Sequence, residues 1–279
     1  MLETLREMWA FRALILEMAR RDLKLRYKNS VGGIVWSLVN PLMQVAAITL
    51  VMKFLKPNPV PSYSAYLIGP LFLWNFIQAA LFDGSVSILA NARLVRKVYF
   101  PRGILPLATL ISNLFHFGIS FGFTLLFLFV VGTYPQNLHP AFLLVIPIVA
   151  LTFCFCLGCN FVLSYLNVFY EDVRFMVQAM AGIFFYLVPL LYPVEDVARK
   201  LGTNSWQWKL YMANPVTSLL VCYQRALLPV ADESGHVQAA LNWPALWPYF
   251  AWAALCSIGA LVGGFALFNR HQWQLAEQL

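Results

Sequence analysis

Charge is scarce along this chain. Only 11% of its 279 residues are Asp, Glu, Lys or Arg and 61% are hydrophobic, against about 25% charged and roughly 45–50% apolar in a soluble domain. Residues 103–170 contain no charged side chain. A helix needs only about 20 apolar residues to cross a bilayer, so an uncharged run of that length has no place in a water-soluble fold. Soluble enzyme architectures are excluded. Absent too are a Ser/His/Asp set, a metal motif and a phosphate-binding loop. No catalytic or metal-ligating residue is therefore assigned, and no cofactor is expected in this chain. The apolar stretches hold no pair of ionisable groups, only Asp83 towards one end and His116, which argues against ion-coupled transport. Cysteine says little about redox. Cys154, Cys156 and Cys159 lie inside an apolar run without His or acid nearby and read as small packing residues. The first 30 residues are charged throughout, unlike a cleavable signal peptide.

The cations that are present cluster. Arg6, Arg12, Arg20, Arg21, Lys24, Arg26 and Lys28 precede the first apolar run, and Arg93, Arg96, Lys97 and Arg102 share one short connection. The net charge of +7 thus belongs with anionic lipid headgroups and a membrane surface rather than nucleic acid. The expected fold is an all-α polytopic membrane protein, a single transmembrane domain over residues 1–279. Six spans are expected at 31–52, 62–82, 103–133, 140–167, 175–194 and 242–269, with a turn-rich hairpin at 133–140. An even number puts both termini on one side. Lys and Arg are concentrated on that side, while Lys53, Lys56, Arg199, Lys200, Lys209 and Arg225 fall opposite, so both termini are expected to be cytoplasmic. Residues 210–229 are apolar but carry Asn214-Pro215 and Arg225. Proline removes a helical hydrogen bond, so a re-entrant pair of short helices on the outer side is expected there.

Three segments invite a function. Residues 5–28 read as one amphipathic interface helix, with Glu17, Arg20, Arg21, Lys24 and Lys28 on a narrow stripe. Asp22, Arg26 and Arg12 project from its apolar arc, where a charge wants a partner or an anionic ligand such as phosphate. Residues 91–102 interleave Arg93, Arg96, Lys97 and Arg102 with Leu94, Val95, Val98, Tyr99 and Phe100, the composition of a docking helix stopped at Pro101. The turn at 170–174 offers the acids Glu171 and Asp172 at a helix start. Phe184, Phe185 and Tyr186 sit within a span, where aromatic faces suit sugar rings.

The run Arg21-Asp-Leu-Lys-Leu-Arg-Tyr-Lys-Asn-Ser-Val-Gly-Gly-Ile-Val-Trp-Ser-Leu-Val-Asn-Pro41 resembles the N-terminal signature of type-2 ABC exporter permeases, in particular the polysaccharide, O-antigen and teichoic-acid branch. Lys97-Val-Tyr-Phe-Pro-Arg102 resembles that family's coupling-helix segment, and Asn214-Pro215 its outer re-entrant segment. The resemblance implies a homodimeric permease in the bacterial cytoplasmic (inner) membrane, paired with two copies of an ABC ATP-binding subunit that holds ATP and Mg. Its implied cargo is a polysaccharide linked to undecaprenyl diphosphate and moved outward. ATPase coupling then falls to Asn91, Arg93, Leu94, Arg96, Lys97, Tyr99, Phe100 and Arg102, with Glu171 and Asp172 as a second contact. Arg26 and Lys28 become candidates for the lipid diphosphate. Trp36, Asn40, Gln44, Phe184, Phe185 and Tyr186 become candidates for the translocation path. Two other readings remain: the same architecture serving another amphiphile or drug, and a non-transporting scaffold for glycan assembly.

Overall fold

A computed structural model describes residues 2–27, 33–55, 63–131, 140–228 and 243–278. Among them every regular element is helical. Lys28, most of the 133–140 hairpin and the first residues of three expected spans lie outside the described residues.

Helix α1 (Leu2–Ala10) and α2 (Arg12–Tyr27) replace the single helix expected at 5–28. They meet at Phe11, yet the hydrogen bonds run through: Phe11 N–H donates to the Glu7 carbonyl (3.2 Å) and Ile15 N–H to that of Phe11 (3.1 Å). Met8, Ile15, Met18 and Ala19 form the buried face. That face lies against another helix, α6 (Ile104–Val130). Met8 packs beside Gly103 and Tyr27 reaches His116, so the pair follows about 20 Å of α6 at 1.5 Å per residue.

Five helical stretches are long and apolar enough to cross a membrane. They contain α3 (Gly33–Leu55), α4 (Tyr63–Ala90), α6, α7 (Val145–Phe169, entered through a 3-10 turn at Pro140–Leu144) and α12 (Trp243–His271). α4 overruns the expected end at 82 because Asp83 finds a cation within the fold. α4 is also the most enclosed, with α3, α6, α7, α8 (Val173–Leu187) and α11 (Pro215–Leu227) around it. α3 is the least enclosed.

α8 departs from the span expected at 175–194. Its 15 residues cover about 22 Å, short of a hydrocarbon core of about 30 Å. Pro189 is the reason: proline forces the preceding residue out of the helical region, and Val188 is extended at φ −87°, ψ 155°. After Pro193 comes α9 (Val194–Leu201), with Glu195 and Asp196 in its first turn and Arg199 and Lys200 in its last, matching the helix dipole. Gly202, at φ 75°, closes it.

The expected 210–229 segment is two helices, α10 (Trp206–Ala213) and α11, broken at Asn214-Pro215. The Asn214 side chain accepts the Val216 N–H at 3.0 Å and Pro215 takes the first helical position, where its missing N–H costs nothing. Trp208 meets Tyr249 near the start of α12, and Trp252 Nε1, further in, donates to the Ala213 carbonyl at 2.9 Å. α11 then runs back along α4 to Gly69, where Leu227 lies over the glycine. Near that end Arg225 ion-pairs with Glu195, and Tyr66 Oη donates to Glu195 Oε2 (3.4 Å) while accepting the Val194 N–H (3.1 Å).

α7 and α12 pack closest of all. A Cβ on Gly158 would sit 2.3 Å from the Ala260 backbone, and one on Gly264 2.1 Å from the Gly158 carbonyl oxygen. Small residues permit such backbone approach, which is how apolar helices associate without a hydrophobic driving force. Between α7 and α4, Asn160 Nδ2 donates to the Ala80 carbonyl at 3.1 Å.

Candidate functional site

A cleft of about 500 Å³ opens where the end of α2 meets α3, α4, α6 and α8. Its polar side chains come from every wall: Arg26 from α2, Asn40 and Gln44 from α3, Gln78 and Asp83 from α4, Asn113 and His116 from α6, and Gln178 from α8. Arg26 Nη2 ion-pairs with Asp83 Oδ2 at 2.7 Å and donates to Asn113 Oδ1 at 2.8 Å. Asn113 Nδ2 in turn donates to Asp83 Oδ2 and to the Thr109 carbonyl, each at 3.2 Å. One residue on, the Tyr27 hydroxyl lies 2.6 Å from His116 Nδ1. Burial raises the Tyr27 phenol above its ordinary pKa, partly offset by the Arg26 charge and a hydrogen bond with Ser37, so the hydroxyl stays protonated. This arrangement is a mostly neutral polar cleft with one partly exposed ion pair, Arg26–Asp83, in its lining.

Four of the residues expected on a substrate path or headgroup site therefore come together: Arg26, Trp36, Asn40 and Gln44. The aromatic trio does not join them. Phe184 lines a separate apolar groove of about 540 Å³ among α4, α7, α8 and α11. Phe185 packs 6.4 Å from Trp74 and edge-on to Tyr186, which is exposed. The other charges on the apolar arc of α2 find local partners. Asp22 pairs with Arg21 at 2.8 Å, and Arg12 stacks over Trp9 at 5.8 Å.

A second surface surrounds α5 (Ala92–Lys97). The helix ends at Lys97, four residues before Pro101, with Val98 already extended. Arg93, Arg96, Lys97 and Tyr99 are exposed, and among the described residues the three cations have no ion-pair or hydrogen-bond partner. Tyr99, at 87% exposure, is the most exposed of the large apolar and aromatic side chains. Leu94 and Phe100 face inward instead and anchor the segment. Asn91 is also structural: its Nδ2 donates to the Ser87 carbonyl (2.8 Å) and its Oδ1 accepts from Arg21 Nη2 (2.9 Å). Arg102 donates to the Gln272 carbonyl, and burial lowers its pKa. With Glu7 and Trp273, this segment walls a recess of about 480 Å³. Glu171 and Asp172 stand exposed at the start of α8, without a side-chain partner among the described residues.

The sequence left the partners of Arg26 unread. Asp83 as the one acid in an apolar run was the available signal, and Asn113, an amide on a long apolar helix, was a weaker one. Arg225, the one charge in the apolar run 210–229, carried the same kind of signal, but its partner Glu195 did not, because it sits among other charges and reads as a surface residue.

The ABC-2 type transporter family matches residues 13–228, well over half of the chain. The chain belongs to that family. As an ABC-2 transporter subunit it is a membrane transport component rather than a catalytic one, and the family implies an ABC ATP-binding subunit as its partner. Among curated proteins, this ABC-2 subunit is similar to two from Klebsiella pneumoniae named O-antigen export system permease protein RfbA. They are 28% and 27% identical over 267 residues, each match covering 95% of both chains. A Myxococcus xanthus protein of the same name is 26% identical over 224 residues, covering 80% of this chain and 84% of its own.

Proposed function

We infer that this chain is the permease subunit of an ATP-driven exporter of O-antigen-like polysaccharide. Its family and the names of its three relatives favour that reading over a drug permease or a scaffold. The observation that carries it is the pairing of two surfaces: a polar cleft lined by Arg26, and the exposed cation-and-aromatic face of α5. The cleft takes the diphosphate of an undecaprenyl-linked chain on the cytoplasmic side. Asn40, Gln44 and Trp36 offer the neutral hydrogen bonds and ring face that sugars use. Arg93, Arg96, Lys97 and Tyr99 dock the ATP-binding subunit, with Glu171 and Asp172 as a second contact, and that subunit supplies ATP and Mg. Two copies of each subunit assemble in the inner membrane, with both termini of this chain cytoplasmic. In that orientation α10 dips into the membrane from outside and α11 returns along α4, a re-entrant pair supported by the Trp252–Ala213 and Leu227–Gly69 contacts.

Co-expression with the ATP-binding subunit tests the reading. The two are expected to purify together, and Lys97→Glu with Tyr99→Ala is expected to reduce recovery of the ATPase at least about tenfold, as for loss of a central anchor. Undiminished co-purification of the double variant removes α5 as the docking element. Failure of the wild-type chain to retain any ATPase removes the exporter reading.

A further inference from the structure

We propose that Asp83 is an internal counter-ion that the anionic headgroup must displace from Arg26, setting how tightly the cargo is held. This rests on the reading of the cleft as a lipid-diphosphate site and adds a role for a residue that reading leaves out. A guanidinium carries five N–H donors in a planar fork. Arg26 spends only Nη2, on Asp83 and Asn113; among the described residues its Nη1 and Nε bond nothing. The free donors are the ones an arriving phosphate would engage, and a second phosphate oxygen would compete with the Asp83 carboxylate for Nη2. Asp83 is not abandoned by the exchange, because Asn113 Nδ2 still donates to it at 3.2 Å. The pair is also suited to being broken. Both side chains are about one-third exposed, at 29% and 32%, so water already reaches them and neither must be left as a bare buried charge. A site that passes its ligand on has to bind it firmly enough to load and weakly enough to release. A resident carboxylate does this by competing for the arginine.

Equilibrium binding to the purified complex of the permease with its ATP-binding subunit, in lipid nanodiscs, tests this. The probes are undecaprenyl diphosphate, inorganic pyrophosphate and undecaprenol. An ion pair of this exposure competes by about two- to fivefold, so Asp83→Asn is expected to bind both diphosphates tighter by that factor and release them more slowly. Asp83→Glu is expected to return towards the wild type. Arg26→Ala is expected to weaken diphosphate binding at least about tenfold, and Asp83→Asn on that background to add nothing. Should Asp83→Asn not assemble, Asp83→Ser carries the same expectation. Undecaprenol is expected to bind all variants alike; tighter undecaprenol binding in Asp83→Asn means a reorganised cleft and overturns the proposal. Diphosphate binding unchanged or weakened in Asp83→Asn, with Arg26→Ala still deficient, overturns the counter-ion role and leaves the headgroup site standing. Wild-type affinity in Arg26→Ala removes the headgroup site itself, and the counter-ion with it. Tightening towards undecaprenyl diphosphate alone places the effect on the lipid-borne headgroup, whereas an equal gain for pyrophosphate marks a simple anion site; either way the competition holds.

Discussion

Two arginines show how one residue type serves two ends of this molecule. Arg225, with its side chain 5% exposed, is enclosed with Glu195 at 15%, and Tyr66 bonds the same carboxylate. Removing one member of such an enclosed pair strands charge in a poorly solvated place, which costs about 3–5 kcal/mol. Glu195→Gln is accordingly expected to lower the detergent-solubilised protein's thermal midpoint sharply, read by loss of the monodisperse peak after heating; Glu195→Gln on an Arg225→Met background is expected to lose much less. Arg26 is the opposite case, about one-third exposed and paired in a way that can be exchanged. Its sequence context already marked it as a charge on an apolar arc in need of a partner. What stayed hidden was the partner's identity, since Asp83 lies 57 positions away and the two meet because α2 and α4 both pack on α6. The same limit applies to Asn91, which reads as part of a docking helix and turns out to hold that helix in place.

Helices were legible wherever their boundaries depend on local chemistry. The break at Asn214-Pro215 and the existence of long apolar elements follow from caps, prolines and the absence of charge. Boundaries that depend on tertiary partners were not legible. α4 continues past Asp83 because a cation waits there, and the amphipathic segment is two helices meeting at Phe11 and lying against α6. α8 is an intermediate case: Pro189 announced its end, but a long uncharged run obscured it. The α7–α12 contact is a purely tertiary feature of the same scale. Gly118, which a Cβ would leave with no neighbour within 4 Å, is a matched control for Gly264, where the nearest backbone atom is at 2.1 Å. Gly264→Val is expected to destabilise by about 3 kcal/mol or more, beyond ordinary overpacking because backbone rather than side chain must yield, and Gly118→Val by well under 1 kcal/mol. Comparable melting of the two variants would mean that α7 and α12 tolerate separation.

At the level of the whole molecule, α3 stands out as a long apolar helix that the rest of the chain leaves largely uncovered. Trp36, Met43, Leu50 and Phe54 are all more than half exposed on it. Native mass spectrometry of the complex released from detergent is expected to give two copies of this chain with two of the ATP-binding subunit. A one-to-one particle that still hydrolyses ATP and exports would leave α3 facing lipid alone. Family, class and the exposed α5 face were accessible from the sequence, because composition, motif and charge carry them. The cleft was not, because it exists only where four helices and the end of a fifth converge.

Asn91 joins three helices through a single amide. Its amide is tied behind to the Ser87 carbonyl of α4 and in front to Arg21 of α2, through contacts of 2.8 and 2.9 Å. Both lie within the ordinary range of N–H···O hydrogen bonds, about 2.7–3.2 Å. One side chain therefore bridges the base of α5 and the helix whose last turn carries Arg26, so the exposed cation face and the polar cleft have a structural element in common.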